Sequence, residues 1–201
     1  MDRYSAGGVD IAIVQAPIDG QTASGDGYSI QAEPTGVLLV VIDALGHGEP
    51  AAEVLETALS VLRVAGRHEI DHIFQILDER LSGTRGAVAA IARISTEKRR
   101  LTWASIGDVQ GTIASGPART TLVGMPGILG YRSQRVAPKT IPFDEGDVLC
   151  LATDGVLPGF AGEVQATLGL ESIARRLEAF MKPDDDSLAL LAQLEGGRAR
   201  P

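Results

Sequence analysis

Acidic residues end the most apolar runs of this sequence. Asp43 closes the run GVLLVVID, Asp154 closes VLCLATD, and the triplet Asp184-Asp185-Asp186 directly precedes SLALLAQL. If strands carry these carboxylates to one spot, they repel one another unless a hard cation that prefers oxygen ligands lies between them. The pattern therefore predicts a site for Mg²⁺ or Mn²⁺.

Each acidic cluster also has an ordinary structural explanation. Asp26-Gly27 and Asp154-Gly155 are typical turn dipeptides, and the triplet that follows Pro183 can be a solvated acidic turn. Turn chemistry explains why Asp stands beside Gly, but it does not explain why acids recur where the most apolar runs end. The joint placement favours a metal site, whereas for any one cluster alone a turn is the simpler interpretation.

Composition and charge restrict the classes of partner. With 201 residues, 44% of them hydrophobic, and no linker rich in proline or serine, we expect one domain over residues 1–201. The formal net charge of -8 disfavours nucleic acid as a partner, because its phosphates would be repelled. The basic stretch Lys98-Arg99-Arg100 is explained most simply as the solvated tip of a hairpin.

The sequence shows no feature of a membrane or secreted protein. Its first residues, MDRYSAGGVD, lack a basic stretch followed by an apolar one, and no apolar run is long enough to span a bilayer. We therefore expect a cytoplasmic location and no membrane partner. Cys150 is the single cysteine, so an intrachain disulfide is excluded, and its apolar surroundings favour a buried residue over a nucleophile.

Hydrophobic periodicity predicts a strand-rich chain interrupted by helices. Helices are expected over residues 50–65, 69–81 and 170–181, each with an apolar stripe at helical spacing. The middle strands are joined by connections too short for a crossover helix, which predicts an α+β fold of mainly antiparallel sheets with helices on their outer faces. Strands are expected near residues 9–16, 28–32, 37–43, 86–95, 100–106, 109–115, 119–123, 131–141, 147–153 and 187–194.

Six short motifs follow one another in a fixed order. They are SGD at 24–26, DALGHG at 43–48, RGA at 85–87, SIGDV at 105–109, ATDGV at 152–156 and DDDS at 184–187. The set resembles the PPM family of metal-dependent serine/threonine phosphatases, in particular the small bacterial branch of SpoIIE and the phosphatases that reset stressosomes. This resemblance spans about residues 20 to 194. It implies a four-layer α-β-β-α sandwich, in agreement with the strands and helices predicted above.

The resemblance implies roles for individual residues. Asp43 would be the catalytic carboxylate that bridges two metal ions, and Ala44 would offer its backbone carbonyl. Asp154 would bind the first ion, and Asp26 would support the second directly or through water.

The last motif of the family sets the register of the acidic triplet. Its metal-binding acid lies three positions before a hydroxyl residue, so Ser187 selects Asp184 as a ligand. Two or more Mn²⁺ or Mg²⁺ ions held in this way lower the pKa of a shared water and offset charge on a phosphoryl group. The resemblance thus implies hydrolysis of phosphoserine or phosphothreonine on a partner protein, with a STAS-domain stressosome component as the expected substrate.

Two positions depart from the family pattern. Ala44 stands where Gly is usual, which is tolerable unless this residue needs a positive φ angle. Asp108 stands where Asn is common, and its carboxylate could alter metal affinity or cap a turn. A PPM-fold binding module without turnover is the alternative function, which an incomplete set of acids would favour.

Other candidate residues carry less weight. The segment His68-Glu69-Ile70-Asp71-His72 fits the zinc-protease pattern H-E-x-x-H, but helical geometry turns both histidines away from the apolar stripe and towards solvent. His47 could approach a bound phosphate, although a solvent-facing imidazole in a flexible turn is the simpler interpretation. Arg85 is a weak candidate for binding phosphate, and Trp103 is expected in the core.

Overall fold

Strands dominate the computed structural model, which describes residues 1–21, 23–131 and 135–195. They form a six-stranded antiparallel sheet in the order β1-β2-β11-β10-β7-β8 and a five-stranded antiparallel sheet in the order β3-β4-β5-β6-β9. The strands are β1 (Asp2–Ala6), β2 (Val9–Ala16), β3 (Asp26–Glu33), β4 (Gly36–Ala44), β5 (Ala87–Ser95), β6 (Arg100–Ile106), β7 (Gln110–Ser115), β8 (Ala118–Leu122), β9 (Lys139–Pro142), β10 (Val148–Ala152) and β11 (Ser187–Leu194).

Helices cover the outer faces of both sheets. The helices α1 (Glu49–Ala65) and α2 (Ile70–Arg80) pack their buried apolar stripes on the five-stranded sheet. The shorter helix α3 (Leu170–Leu177) lies on the six-stranded sheet and continues into a 3₁₀ turn, Glu178–Phe180. A further 3₁₀ turn spans Phe160–Gly162. The expected α+β sandwich with antiparallel sheets inside and helices outside is confirmed.

The inner core lies between the two sheets and takes every second residue of each strand. On β4, Val37, Leu39 and Val41 enter this core, whereas the residues between them face α1 and α2. Side chains alternate between the faces of a strand, so the next residue on the inner face of β4 is Asp43. The same counting applies to each strand that carries an acid at its end.

The structure corrects some predicted boundaries. The strand expected over residues 131–141 is wrong: residues 135–138 are irregular, and of this stretch only the short β9 joins the sheet, beside β6. Residues 132–134 lie outside the described part of the chain. The proline at 138 and the irregular segment before it leave few backbone groups for a ladder. The edge strand β1 was not predicted. Trp103 and Cys150 are buried, as expected.

Helix length and polarity bear on membrane insertion. Among the described residues, no helix combines the length and the apolar character that crossing a bilayer requires.

Candidate metal centre

Four strands bring polar residues to one mouth between the sheets. Asp26 lies two residues before the inner-face residue Tyr28 on β3, and Asp43 lies two residues after Val41 on β4. In the other sheet, Thr153 lies two residues after Leu151 of β10, and Asp186 lies two residues before Leu188 of β11. Because side chains repeat every two residues along a strand, the apolar inner face is replaced by oxygen atoms at one end of the sandwich. This register brings Asp26 and Asp43 together as predicted, whereas Asp154 lies one residue beyond the inner-face position of Thr153 and acts on both acids through its charge.

Asp26 is the most deeply enclosed acid of the group. Its side chain is 2% exposed, and its Oδ2 accepts a hydrogen bond of 2.6 Å from the Thr153 hydroxyl. Gln15 donates from Nε2 to the Asp26 carbonyl at 2.8 Å, which fixes the backbone as well. Burial, together with the charges of Asp186 and Asp154, raises the pKa of Asp26 to about 7, against the pull of the Thr153 hydrogen bond.

Asp43 lies directly opposite Asp26 in the β3–β4 ladder. Burial raises the pKa of Asp43 to about 9, with further contributions from the charges of Asp26, Asp154 and Asp108. Burial and the charges of Asp185 and Asp108 also raise the pKa of Asp154, which accepts a hydrogen bond from the Asp43 carboxyl. The two carboxyl groups thus lie close enough to share a proton, and a cation between them would serve the same purpose.

The three members of the acidic triplet have different surroundings. Asp184 is exposed, whereas Asp185 is half-buried and is the member whose charge raises the pKa of both Asp43 and Asp154. Asp186 is buried, and its carboxylate accepts backbone hydrogen bonds from Ile18 at 3.1 Å and Gly25 at 2.8 Å. Asp185 is thus the member of the triplet that acts on Asp43 and Asp154, while Asp184, the ligand expected from the spacing to Ser187, has an exposed side chain.

Lys182 supplies a positive charge that the sequence analysis missed. Its Nζ donates to the carbonyl of Asp154 at 2.6 Å and lies 3.6 Å from Oδ2 of Asp185. Through this charge it lowers the pKa of Asp154, opposing the effect of burial. The side chain spans the two loops that carry these acids. A lysine two residues before the triplet was the available signal, but its partner is distant in sequence.

The loop after Asp43 is held by backbone contacts. Leu45 donates its N–H to the Gly86 carbonyl at 3.0 Å, and Arg85 donates from Nη1 to the Leu45 carbonyl at 3.1 Å. Arg99 is the one non-glycine residue with a positive φ angle in the described part of the chain, so Ala44 needs no such conformation. Ala is therefore compatible with this position, where the family usually has Gly.

Asp108 and the three histidines are all exposed, but only Asp108 is seen to act on the acids. Asp108 is exposed, yet its charge acts on both Asp43 and Asp154. His47 is exposed, with its Nδ1 3.4 Å from Nε2 of Gln21. His68 and His72 are exposed and stack on each other with ring centroids 4.7 Å apart, which confirms that they face solvent.

The chemistry of the acids fits divalent metal ions of the hard class. The mutual repulsion by which these carboxylates raise one another's pKa, opposed at Asp154 by Lys182, is relieved by added positive charge. Within the described residues, no three or more His, Cys, Asp or Glu side chains are arranged so that they could hold a metal ion between them. An open set of carboxylates suits Mg²⁺ and Mn²⁺, because these ions retain several waters in their shells.

Comparison with known proteins identifies the family. Residues 33–200 match the family described as Stage II sporulation protein E (SpoIIE). The chain belongs to the SpoIIE family. It is 24% identical over 190 residues to Phosphoserine phosphatase RsbX of Bacillus subtilis (strain 168), covering 92% of this chain and 95% of that protein. The predicted resemblance to the SpoIIE-like branch of PPM phosphatases is confirmed.

Solved structures agree with this membership. RsbX in complex with magnesium matches with a TM-score of 0.88 at 22% identity, over 96% of this chain and 98% of that one. A chain from "The bacterial stressosome: a modular system that has been adapted to control secondary messenger signaling" matches with a TM-score of 0.83 at 28% identity, over 92% and 99% of the two chains. The SpoIIE-family chain is accordingly a protein serine/threonine phosphatase by class.

Proposed function

We propose that this phosphatase is metal-dependent and removes phosphate from phosphoserine or phosphothreonine on a partner protein. The observation that carries the proposal is the set of Asp26, Asp43 and Asp154, buried or close together, with carboxylic acid pKa values raised by burial and mutual repulsion. Such a set costs stability unless it serves a positively charged ligand. The magnesium bound by the related RsbX supports the same assignment.

The proposed ligands come from both sheets. Asp43 would bridge two or more Mn²⁺ or Mg²⁺ ions, with the Ala44 carbonyl and Asp26 on one side and Asp154 on the other. For the remaining ligand, the spacing to Ser187 selects Asp184, whereas the charge acting on Asp43 and Asp154 comes from Asp185. We favour Asp185, since a ligand has to reach the other acids. When bound, the ions supply a nucleophilic water at neutral pH and neutralise charge on the phosphoryl group.

The protein's own residues prepare this site. Thr153 and the backbone N–H groups that bind Asp186 hold the acid-bearing loops in place without using the free oxygens of Asp43. Lys182 ties the Asp154 loop to Asp185. These contacts fix the carboxylates before a substrate arrives, so little reorganisation is needed during the reaction.

The expected partner is a protein with a STAS domain in a stressosome. This proposal is supported by the match to the phosphoserine phosphatase RsbX over nearly the whole chain. It is also supported by the shared fold of the chain from the bacterial stressosome structure described above. We further propose one domain over residues 1–201 and a cytoplasmic location. No step in this assignment calls for nucleic acid, in keeping with the net charge of -8.

Phosphate release tests the proposed function. The protein is treated with a chelator, and phosphate release from a phosphorylated STAS-domain protein is then measured with and without added Mn²⁺. We expect release only with Mn²⁺, and kcat/KM at least roughly tenfold higher than for a short peptide with the same phosphoresidue, since a docked surface positions the phosphoryl group. Release that persists after chelation would contradict metal dependence, and equal efficiency on both substrates would contradict a dedicated partner.

A further inference from the structure

A cavity with one unsatisfied hydroxyl lies next to strand β6. It has a volume of about 220 Å³ and is lined by Trp103, Ser105, Met125 and Lys139 among others. Ser105 is 1% exposed, and its Oγ is the one buried side-chain polar atom without a hydrogen-bond partner in the described part of the chain. A buried hydroxyl left unpaired costs about 1–3 kcal/mol, so a native structure retains one only for a reason.

The cavity is at the same end of the sandwich as the acids. Asp43 pairs with Val88 on β5, and Ala90 on β5 pairs with Ser105 on β6. Since β4 and β6 are separated by two strand spacings, Ser105 is about 10 Å from the strand that carries Asp43. Three residues after Ser105 the chain reaches Asp108, whose charge acts on Asp43. If one side chain of a bound protein segment occupied the cavity, nearby residues of that segment could therefore reach the metal centre.

The space at Ser105 depends on a glycine. A Cβ atom added to Gly124 would come within 2.0 Å of the Ser105 Oγ. Val123, beside Gly124, lines the same cavity and is 71% exposed, so it offers an apolar surface at the rim. The cavity thus has an apolar residue at its rim and the Ser105 hydroxyl inside.

The size of the cavity decides between two kinds of occupant. Sites for cofactors and other drug-sized ligands measure about 300–1,000 Å³, which is larger than this cavity. A volume of about 220 Å³ suits one side chain. Apart from the exposed Lys139, the lining is apolar or small with the Ser105 hydroxyl inside, which calls for an apolar stem that ends in one neutral hydrogen-bonding group, because a charge would be costly to bury beside Ser105.

We propose that this cavity is a docking pocket for one such side chain of the phosphoprotein substrate, with Ser105 as its hydrogen-bond partner. The inference rests on the proposed function, since the occupant belongs to the substrate. Because Ser105 is about 10 Å from the strand that carries Asp43, the anchor would be at least about three residues of extended chain from the phosphoresidue. Such a pocket would favour a protein substrate over an isolated phosphate ester.

Two substitutions test the pocket through one ratio. The ratio is kcat/KM for a phosphorylated STAS-domain protein divided by kcat/KM for p-nitrophenyl phosphate, both with Mn²⁺. Ala137→Phe at the lining should lower this ratio at least tenfold by occupying the cavity, and Ser105→Ala should lower it about fivefold by removing one hydrogen bond. Ala118→Phe, at an exposed position on β8, is the matched control and should leave the ratio unchanged.

Each other outcome overturns a different statement. An unchanged ratio in Ala137→Phe, with a melting temperature like that of the wild type, would overturn the pocket. A lower melting temperature for Ser105→Ala with no change in ratio would show that the hydroxyl serves folding, which also overturns it. If wild type hydrolyses p-nitrophenyl phosphate but not the phosphoprotein, the pocket and the STAS-domain partner both fail. If neither substrate is hydrolysed, the proposed metal-dependent chemistry itself fails.

Discussion

Asp26 and Asp43 are directly opposed on β3 and β4, with both side chains on the inner face of their sheet. Opposed residues of an antiparallel pair have Cβ atoms about 4.5–5.5 Å apart, a separation at which two like charges destabilise the sheet. The pair is therefore a source of repulsion built into the fold. Its relief, by protons or by metal ions, underlies the predictions below.

The stability of the metal-free protein should depend on pH. The pKa values of about 7 for Asp26 and about 9 for Asp43 lie above the ordinary value of 3.8. A group with a raised pKa stabilises the folded state fully below its unfolded pKa, and this contribution is lost as pH rises through the folded pKa. Chelator-treated protein should melt at a lower temperature at about pH 9 than at about pH 6.

Mg²⁺ should offset this loss. Because an ion that binds the folded state relieves the repulsion between the ionised acids, its stabilising effect should be larger at the higher pH. Differential scanning fluorimetry with and without Mg²⁺ measures both effects. The same melting temperature across millimolar Mg²⁺ at both pH values would count against the site.

The Thr153 hydroxyl should contribute to stability. Thr153→Val keeps the side-chain shape but removes the donor to Asp26 and the acceptor for the Leu188 N–H. Leaving buried partners unpaired costs ~1–3 kcal/mol of unfolding free energy. Urea denaturation of Thr153→Val beside Thr153→Ser, which retains the hydroxyl, measures the loss. Equal stability of the two variants would show that the hydrogen bond contributes little.

Substitutions of the three acids of the triplet should have different effects on activity and stability. Asp185→Asn should abolish metal-dependent activity, because Asp185 is the member whose charge acts on Asp43 and Asp154. Asp184→Asn should retain most activity, since that side chain is exposed. Asp186→Asn should mainly lower stability, because its carboxylate binds two backbone N–H groups. Kinetics and melting of the three variants decide, and loss of activity in Asp184→Asn alone would restore the register given by Ser187.

The histidine pair should not take part in catalysis. His68 and His72 stack in solvent, away from the acid cluster. The double variant His68→Ala with His72→Ala should keep metal-dependent phosphatase activity near the wild-type level. A large loss of bound metal, measured by elemental analysis, would favour the zinc-binding interpretation of this segment.

The sequence pattern predicts much of this architecture, because side chains alternate between the two faces of each strand. That period places Asp43 on the same face as Val41, so the acid-bearing end of the sandwich is readable from the sequence alone. The pattern failed in the strand expected over 131–141, because residues 135–138 are irregular and pairing begins only at Lys139. It also missed Lys182, whose role depends on a contact with the Asp154 carbonyl 28 residues away.

The register of the acidic triplet shows a second limit. Three consecutive aspartates have the same chemistry, so only the turn before β11 decides which one points at the other acids. Asp186 is drawn towards the Gly25 and Ile18 N–H groups, contacts between segments far apart in sequence. Such tertiary hydrogen bonds leave no local trace in composition or spacing.

Asp43→Asn gives the most direct test of the central claim, that Asp43 bridges catalytic metal ions. With a pKa of about 9, the Asp43 carboxyl is protonated in the metal-free protein at neutral pH, and the Asn amide matches that neutral form. The variant should therefore fold as the wild type does. Calorimetric titration with Mn²⁺, paired with p-nitrophenyl phosphate turnover, should show two or more ions bound and turnover in wild type, and loss of both in Asp43→Asn. Wild-type metal binding and turnover in the folded variant would contradict the account.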